Sequence, residues 1–338
     1  MTPESHGIDD RPRKSHERID THAHYIPASF RKAVSDAGKS TVDGGIPLPP
    51  WSLADHVAMM DEHAIGVSVL SLSSPGVQLL EGSAAAKLAR AVNEEGIEAV
   101  RAHPGRFGLF MSLPLPDVAA SLKEIQFGFD TLGADGVVLM TNIQGRYPGE
   151  PEFAPVFEEL DRRGSVVYLH PTSPCGLGPA SIGLPGPVIE FPFDTVRAAV
   201  NLIYSGTLKR CPRIRLLLSH AGGALPILAS RIAAMSAVPL INPRPAGGAD
   251  EVRAALAAIY YDLALASNPL AFNALRQITS IEHITLGTDY PFSANVGLVR
   301  NFAGFEEIMT TLSADDRAKV ESLNALQLFP RLREALVK

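Results

Sequence analysis

Five residues with metal-binding side chains lie at or near the ends of predicted strands, namely His22, His24, His170, His220 and Asp289. In ERIDTHAHYIP (17–27) the two histidines are two residues apart, and residues i and i+2 of a strand project to the same face. The runs SVVYLH, LLLSH and ITLGTD end in the other three residues. Three neutral imidazoles and a carboxylate can hold a divalent metal ion and leave one position open for water or substrate. Each histidine alone could equally be a core residue bonded through its ring.

The elements that must position these side chains are eight apolar runs rich in β-forming residues. Most are continuously hydrophobic, as strands buried on both faces are. They are residues 18–24, 66–74, 106–114, 135–140, 165–170, 214–220, 259–265 and 283–289. Segments of helical period follow them, at 55–65, 83–102, 117–132, 152–164, 194–206 (with Asp194 as N-cap), 225–238, 268–278, 299–309 and 313–329.

This alternation predicts an α/β fold with a parallel sheet, and eight such units predict a (β/α)8 TIM barrel. A doubly wound open sheet is the rival, but it usually carries a glycine-rich turn after its first strand, where this chain has THAHYIP. In a barrel the carboxyl ends of the strands form the active-site face, so the metal-binding candidates should converge there.

Two connections are longer than a barrel requires, and we expect them to be functional loop insertions after strands 1 and 5. They span residues 27–51 and 171–192, and the second is rich in Gly and Pro. The polar residues 1–17 are predicted to be a flexible lead-in. Residues 18–338 are predicted to form a single barrel domain.

Composition excludes several classes of protein. The chain has 338 residues, 46% hydrophobic and 20% charged, which is typical of a globular protein. Its net charge of −6 argues against nucleic-acid binding. The sequence contains no apolar run of about 18 residues, so no membrane span is predicted. Two cysteines, Cys175 and Cys211, make no disulfide framework, which favours a reduced, cytoplasmic setting.

Several longer motifs carry a family resemblance that runs from about Arg18 to Phe329. The chain resembles the amidohydrolase superfamily, and within it the amidohydrolase-2 branch that includes aminocarboxymuconate-semialdehyde decarboxylase and the salicylate-type decarboxylases. The motifs specific to that branch are SHAGGALP (219–226) and LGTDYPF (286–292). The stretches GGIPLPPW, HPTSP and EFPFDT are most similar to the 6-methylsalicylate-type members.

The resemblance implies roles for individual residues. His22, His24, His170 and Asp289 would bind one divalent ion, zinc first and manganese as the alternative. His220 would stand beside the metal-bound water as acid or base. No lysine follows strand four in DGVVLMTNIQG, so the bridging ligand of binuclear amidohydrolases is missing and one metal ion is expected.

The resemblance also implies substrate contacts and an assembly. Arg231 corresponds in spacing to an arginine that binds a substrate carboxylate in the neighbouring subunit's site, which would require a homodimer or homotetramer. An arginine that makes surface ion pairs is the alternative. The second carboxylate-binding arginine is absent before Trp51, which favours a less charged, more apolar substrate. Trp51, Phe191, Phe193 and Phe292 could line its pocket, although each could also be an ordinary core aromatic.

The predicted function is metal-dependent, non-oxidative decarboxylation of a small aromatic carboxylate, such as an ortho-hydroxybenzoate of the 6-methylsalicylate type. Protonation of the ring carbon would precede loss of CO2, and His220 or Asp289 would donate the proton. A metal-dependent hydrolase of a lactone or amide would need nearly the same residues. A non-catalytic ligand-binding barrel is a third possibility, but such a protein has no reason to keep an open metal site.

Overall fold

Eight parallel strands, hydrogen-bonded in chain order, form the centre of the computed structural model, which describes residues 18–176, 182–293 and 296–335. The predicted lead-in, residues 1–17, lies outside the described residues. Each predicted run contains a strand. The strands are Arg18–His24 (β1), Ile65–Ser71 (β2), Phe107–Ser112 (β3), Gly136–Met140 (β4), Val166–His170 (β5), Arg215–Leu218 (β6), Tyr260–Asp262 (β7) and Ile284–Thr285 (β8).

The first and last strands meet along a seam that closes the sheet into a barrel. The Thr21 amide donates to the Leu286 carbonyl at 3.0 Å, and the His24 amide donates to the Tyr290 carbonyl at 2.7 Å. The prediction of a (β/α)8 barrel is therefore confirmed. Nearly every strand residue is buried, which explains why the strands appear in the sequence as continuous hydrophobic runs.

The helices surround this barrel. They are Ala28–Asp36 (α1), Leu53–Glu62 (α2), Gly82–Ala102 (α3), Val118–Phe127 (α4), Ala154–Arg163 (α5), Gly186–Tyr204 (α6), Thr207–Arg210 (α7), Leu225–Met235 (α8), Gly248–Ala258 (α9), Pro269–Leu275 (α10), Val296–Thr310 (α11), Ala314–Ala318 (α12) and Asn324–Leu328 (α13). Among the described residues, no helix is long and apolar enough to cross a bilayer.

Side chains fill the inside of the barrel. Phe110 on β3 stacks on Tyr168 of β5, with ring centroids 5.0 Å apart, and also contacts Phe329, which directly follows α13. The C-terminal segment thus packs into one end of the barrel interior. The opposite end, where the strands finish, is left for the predicted site.

The long connection after β5 differs from the prediction. We expected a loop over 171–192 and an N-cap at Asp194, but α6 begins at Gly186. Asp194 therefore lies within the helix, where its buried carboxylate accepts hydrogen bonds from Asn142 Nδ2 (2.8 Å) and the Tyr147 hydroxyl (2.7 Å). The prolines explain the error: Pro187 lies in the first turn, where no amide is needed, whereas Pro192 lies inside the helix and made the segment resemble a loop.

Three further helices were not predicted, and the shortest of them is α7, which directly follows the predicted segment 194–206. α1 lies within the segment taken as the loop after β1, and α9 lies in the stretch before β7, to which no helix was assigned. The connection after β1 nevertheless stays long and irregular between α1 and α2, with a single 3₁₀ turn at Asp43–Gly45. That turn reaches the carboxyl ends of the strands.

Candidate functional site

The four predicted ligands converge at the carboxyl end of the barrel. Side-chain nitrogen or oxygen atoms of His22, His24, His170 and Asp289 all lie within 4.8 Å of one another, and all four residues are buried. His22 Nε2 lies 3.1 Å from His24 Nε2, and Asp289 Oδ1 lies 3.3 and 3.0 Å from these two atoms. Three imidazoles and one carboxylate aimed at one point form a donor set that fits a divalent metal ion.

The outward-facing nitrogen of each histidine in this cluster has its own partner. The Nδ1 partners are Asp262 Oδ2 for His22 (3.0 Å), Ser71 Oγ for His24 (2.9 Å) and the Pro171 carbonyl for His170 (2.9 Å). An Nδ1–H that donates to an acceptor leaves the Nε2 lone pair available for an ion, and a carboxylate partner also increases the basicity of the ligand. The hydrogen bonds thus orient all three rings for binding through Nε2.

Asp262, which ends β7 in YYD, was not among the predicted site residues. Its Oδ2 contacts His22, while its Oδ1 accepts hydrogen bonds from the His220 amide (3.0 Å) and the Ala264 amide (2.9 Å). One carboxylate therefore fixes both a candidate ligand and the backbone of the candidate acid. Asp262 lies in the middle of the predicted run 259–265, whereas the strand itself ends at Asp262, so its position at the carboxyl end of the barrel was not foreseen.

A second unpredicted carboxylate, Asp20, joins the two strands at the seam. Its Oδ1 accepts from the amides of His22 and Thr288, each at 3.0 Å, and its Oδ2 accepts from Thr288 Oγ1 at 2.6 Å. Burial raises the pKa of Asp20 to about 7, although the hydrogen bonds from Thr288 and His22 oppose the shift. Asp20 thereby holds the turn that carries Asp289 against β1.

The electrostatics of the cluster favour neutral imidazoles at His24 and His170, whereas the carboxylates beside His22 favour its protonated form. Burial lowers the pKa of His24 and of His170, which favours the uncharged, metal-binding form. Burial alone would also lower the pKa of His22, but Asp262 and Asp289 raise it to about 10. Burial would raise the pKa of Asp289, yet hydrogen bonds from His22, His220 and His24 hold it well below its usual value.

His220 and Asp289 lie in turns beyond the ends of their strands, not at the strand tips as predicted. β6 ends at Leu218 and β8 ends at Thr285. His220 has φ 54° and Asp289 has φ 58°, in the left-handed region that non-glycine residues rarely adopt. This backbone conformation ends each strand and turns the side chain towards the barrel axis, so His220 Nε2 lies 3.7 Å from Asp289 Oδ2. Such strain is typical of functional sites.

A cavity of about 430 Å³ opens above this cluster, with His170, His220 and Asp289 at its base. Its other walls are mainly apolar. They include Val42 and Ile46 from the loop after β1, Pro187, Val188, Phe191 and Pro192 from α6, Leu265 and Ala266 after β7, and Phe292 after β8. The volume is near the lower end of the range for ligand cavities, roughly 300–1,000 Å³. The cavity therefore suits a small, largely apolar molecule.

Not every predicted substrate contact lies in this cavity. Phe191 and Phe292 line it, whereas Phe193 is exposed and Trp51 lines a separate groove. The Trp51 indole donates to His56 Nδ1 at 3.1 Å, and burial lowers the pKa of His56 to about 3, which keeps that nitrogen an acceptor. The placement of Trp51 is thus a correction. Arg231 is exposed on α8 and does not line the cavity of its own subunit.

A (β/α)8 barrel with a histidine–aspartate cluster at the carboxyl ends of its strands is the architecture of a metal-binding barrel enzyme. The family model described as amidohydrolase matches residues 19–331, and the chain belongs to this family. The predicted resemblance is confirmed.

Known proteins of this family are similar over nearly the whole chain. The 6-methylsalicylic acid decarboxylase of Penicillium expansum is 37% identical over 326 residues, which cover 95% of this chain and 98% of that protein. A solved structure of an amidohydrolase II has a TM-score of 0.82 and 28% identity, and the match covers 95% and 100% of the two chains. These relatives confirm the predicted family, and the decarboxylase among them supports the prediction of a carboxy-lyase.

A further solved structure shares the fold at lower identity. The dihydroxybenzoic acid decarboxylase of a Polaromonas species, crystallised with manganese and the inhibitor 2-nitroresorcinol, has a TM-score of 0.78 and is 24% identical. The match covers 96% of this chain and all of that one.

Proposed function

We propose that the protein is a metal-dependent, non-oxidative decarboxylase of a small aromatic acid that carries a hydroxyl group next to its carboxylate, as 6-methylsalicylate does. The observation that carries this proposal is the position of His220, which faces a small apolar cavity directly beside the metal-binding cluster. The 37% identity to a 6-methylsalicylic acid decarboxylase supports the choice of substrate.

The residues fit a single divalent ion held by His22, His24, His170 and Asp289. Zinc is our first choice and manganese the alternative, because three nitrogen donors and one oxygen donor suit both, and manganese is bound in the related dihydroxybenzoic acid decarboxylase. Such an ion supplies Lewis acidity and an anchor for the carboxylate and hydroxyl oxygens of the substrate.

His220 is the proposed proton donor. Its protonated imidazole gives a proton to the ring carbon that carries the carboxylate, so the imidazole becomes neutral and that carbon becomes tetrahedral. The bond to the carboxylate then breaks, its electron pair returns to the ring, and CO2 leaves. His220 regains its proton from solvent. We assign the alternative donor, Asp289, as a ligand; its Oδ1 lies 3.3 Å from His22 Nε2 and 3.0 Å from His24 Nε2, which supports this assignment.

The direct test is CO2 release from a panel of ortho-hydroxybenzoates that includes 6-methylsalicylate and salicylate. We expect release that stops when the metal is chelated and returns when the metal is restored. If the protein contains metal and releases no CO2 from any member of the panel, the proposal is wrong. The hydrolase alternative would then be tested with lactones and amides, whose products incorporate oxygen from water.

We also propose that residues 18–338 act as one domain within a homodimer or homotetramer, in which Arg231 reaches the cavity of a neighbouring subunit. Arg231 is exposed on its own subunit, as this role requires. Substitution Arg231→Ala should raise KM for the substrate roughly tenfold and change kcat little, because a charge-assisted hydrogen bond to the carboxylate is lost. If the protein sediments as a monomer and Arg231→Ala leaves KM unchanged, this assignment is wrong.

A cytoplasmic location is proposed as well, since Cys175 and Cys211 are both unpaired. Recovery of the protein in the membrane or secreted fraction of its source cells would contradict it.

A further inference from the structure

The loop after β1 brings a carboxylate, Asp43, into the wall of the cavity, and the reaction proposed above does not use it. Asp43 Oδ2 accepts hydrogen bonds from Ser74 Oγ (2.6 Å), Thr172 Oγ1 (2.6 Å) and the Ser173 amide (2.7 Å). Asp43 Oδ1 accepts from the Gly44 amide at 2.8 Å. Since Ser74 follows β2 and Thr172 follows β5, this carboxylate joins three of the connections around the cavity.

Asp43 carries a negative charge that neutral groups stabilise. Burial would raise its pKa, but the hydrogen bonds from Ser74, Thr172 and Ser173 lower it below its ordinary value. These partners are hydroxyl groups and an amide, not cations. Among the described residues that line the cavity, none is a lysine or an arginine. The described wall of the cavity therefore adds negative charge without a basic side chain to balance it.

We propose that Asp43 is a specificity-determining residue that restricts the site to aromatic acids with a single carboxylate. This inference rests on the proposed function, because it takes a ring carboxylate bound at the metal cluster as given. The divalent ion and, as proposed above, Arg231 of a neighbouring subunit would engage the reacting carboxylate, whereas a second carboxylate on the ring would face Asp43 in the cavity wall.

A second carboxylate on the ring would share the same 430 Å³ cavity with Asp43. At a separation of about 7 Å and an effective dielectric constant of about 20, repulsion between two unit charges weakens binding roughly fiftyfold. The positioning of Asp43 by four hydrogen bonds means that the carboxylate cannot easily swing away to relieve this repulsion.

The test compares the affinities of two acids for the metal-loaded protein by titration calorimetry, with His220→Asn introduced into the wild-type and variant proteins alike so that decarboxylation does not contribute heat. The acids are salicylate and 4-hydroxyisophthalate, which is salicylate with a second carboxylate. We expect the wild-type protein to prefer salicylate at least tenfold. Asp43→Asn should reduce that preference at least tenfold, mainly through tighter binding of the diacid. Asp36→Asn on α1 removes an exposed carboxylate outside the cavity and should leave the preference unchanged.

The inference is wrong if the ratio of the affinities for salicylate and 4-hydroxyisophthalate is the same in the wild-type and Asp43→Asn proteins at equal metal content. If neither acid binds the metal-loaded wild-type protein, the proposed function itself fails, and this inference with it. If Asp43→Asn disturbs the loop, Asp43→Glu and Asp43→Gln provide a second pair of equal length that differs in charge. The inference requires the Glu variant to exclude the diacid more strongly than the Gln variant does.

Discussion

Substitution His220→Asn should reduce kcat for CO2 release by roughly 10³-fold, within the range of effects of a removed general acid, and leave the metal content unchanged. Asparagine is polar and of similar length, but it cannot deliver a proton to the ring carbon at neutral pH. The hydrogen bond from the His220 backbone amide to Asp262 does not use the imidazole, so it can persist in the variant. Turnover kinetics and metal analysis on the same preparation measure both quantities.

The control for this variant is His103→Asn, which removes a histidine that follows α3 and does not line the cavity. It should retain wild-type turnover. Loss of the metal from His220→Asn would mean that His220 is a ligand and that its assignment as the acid is wrong. If His220→Asn retains full activity, another group donates the proton, and Asp289 is the first candidate to test.

Substitution His170→Ala should remove the bound metal and reduce activity to background, because it deletes one of four donor atoms from the cluster. The matched variant Asp262→Asn keeps all four donors and replaces the carboxylate beside His22 Nδ1 with an amide, whose oxygen can still accept from the His220 and Ala264 amides. It should weaken metal affinity about 10–100-fold, the usual effect of losing such a supporting carboxylate, and recover activity when excess metal is added.

Metal content by mass spectrometry and competition with a chelator distinguish these two outcomes, and circular dichroism checks that both variants are folded. Full metal content in His170→Ala would show that the cluster is not the metal site. Equal metal affinity in Asp262→Asn and the wild-type protein would show that the Asp262–His22 contact does not support the ligand.

The strands and the candidate metal-binding cluster were predictable because their signals are local. A strand buried on both faces is a continuous apolar run, and the residues that end it lie at a known face of a barrel. His22, His24 and His170 lie on strands, so identifying the strand also places the side chain. His220 and Asp289 were identified by type, although their left-handed backbone conformations in turns were not foreseen.

The walls of the cavity were not predictable, because they depend on contacts between distant loops. Nothing in the sequence indicates that Trp51 donates to His56 outside the cavity, or that Asp43 meets donors from two other connections. Asp194 illustrates the same limit. Its residue type suits an N-cap, but α6 continues through Pro192, so Asp194 lies inside the helix as a buried hydrogen-bond acceptor. Local propensity does not contain this information.

The seam of the barrel has a consequence for how the protein is made. The cluster combines His22 and His24 from β1 with Asp289, which follows β8, so its parts come from opposite ends of the barrel sequence. A growing chain has no complete binding site until the last strand has left the ribosome and paired with the first. The proposed ion would therefore be acquired late, after ring closure, and once bound it would hold the two ends of the barrel together and slow their separation.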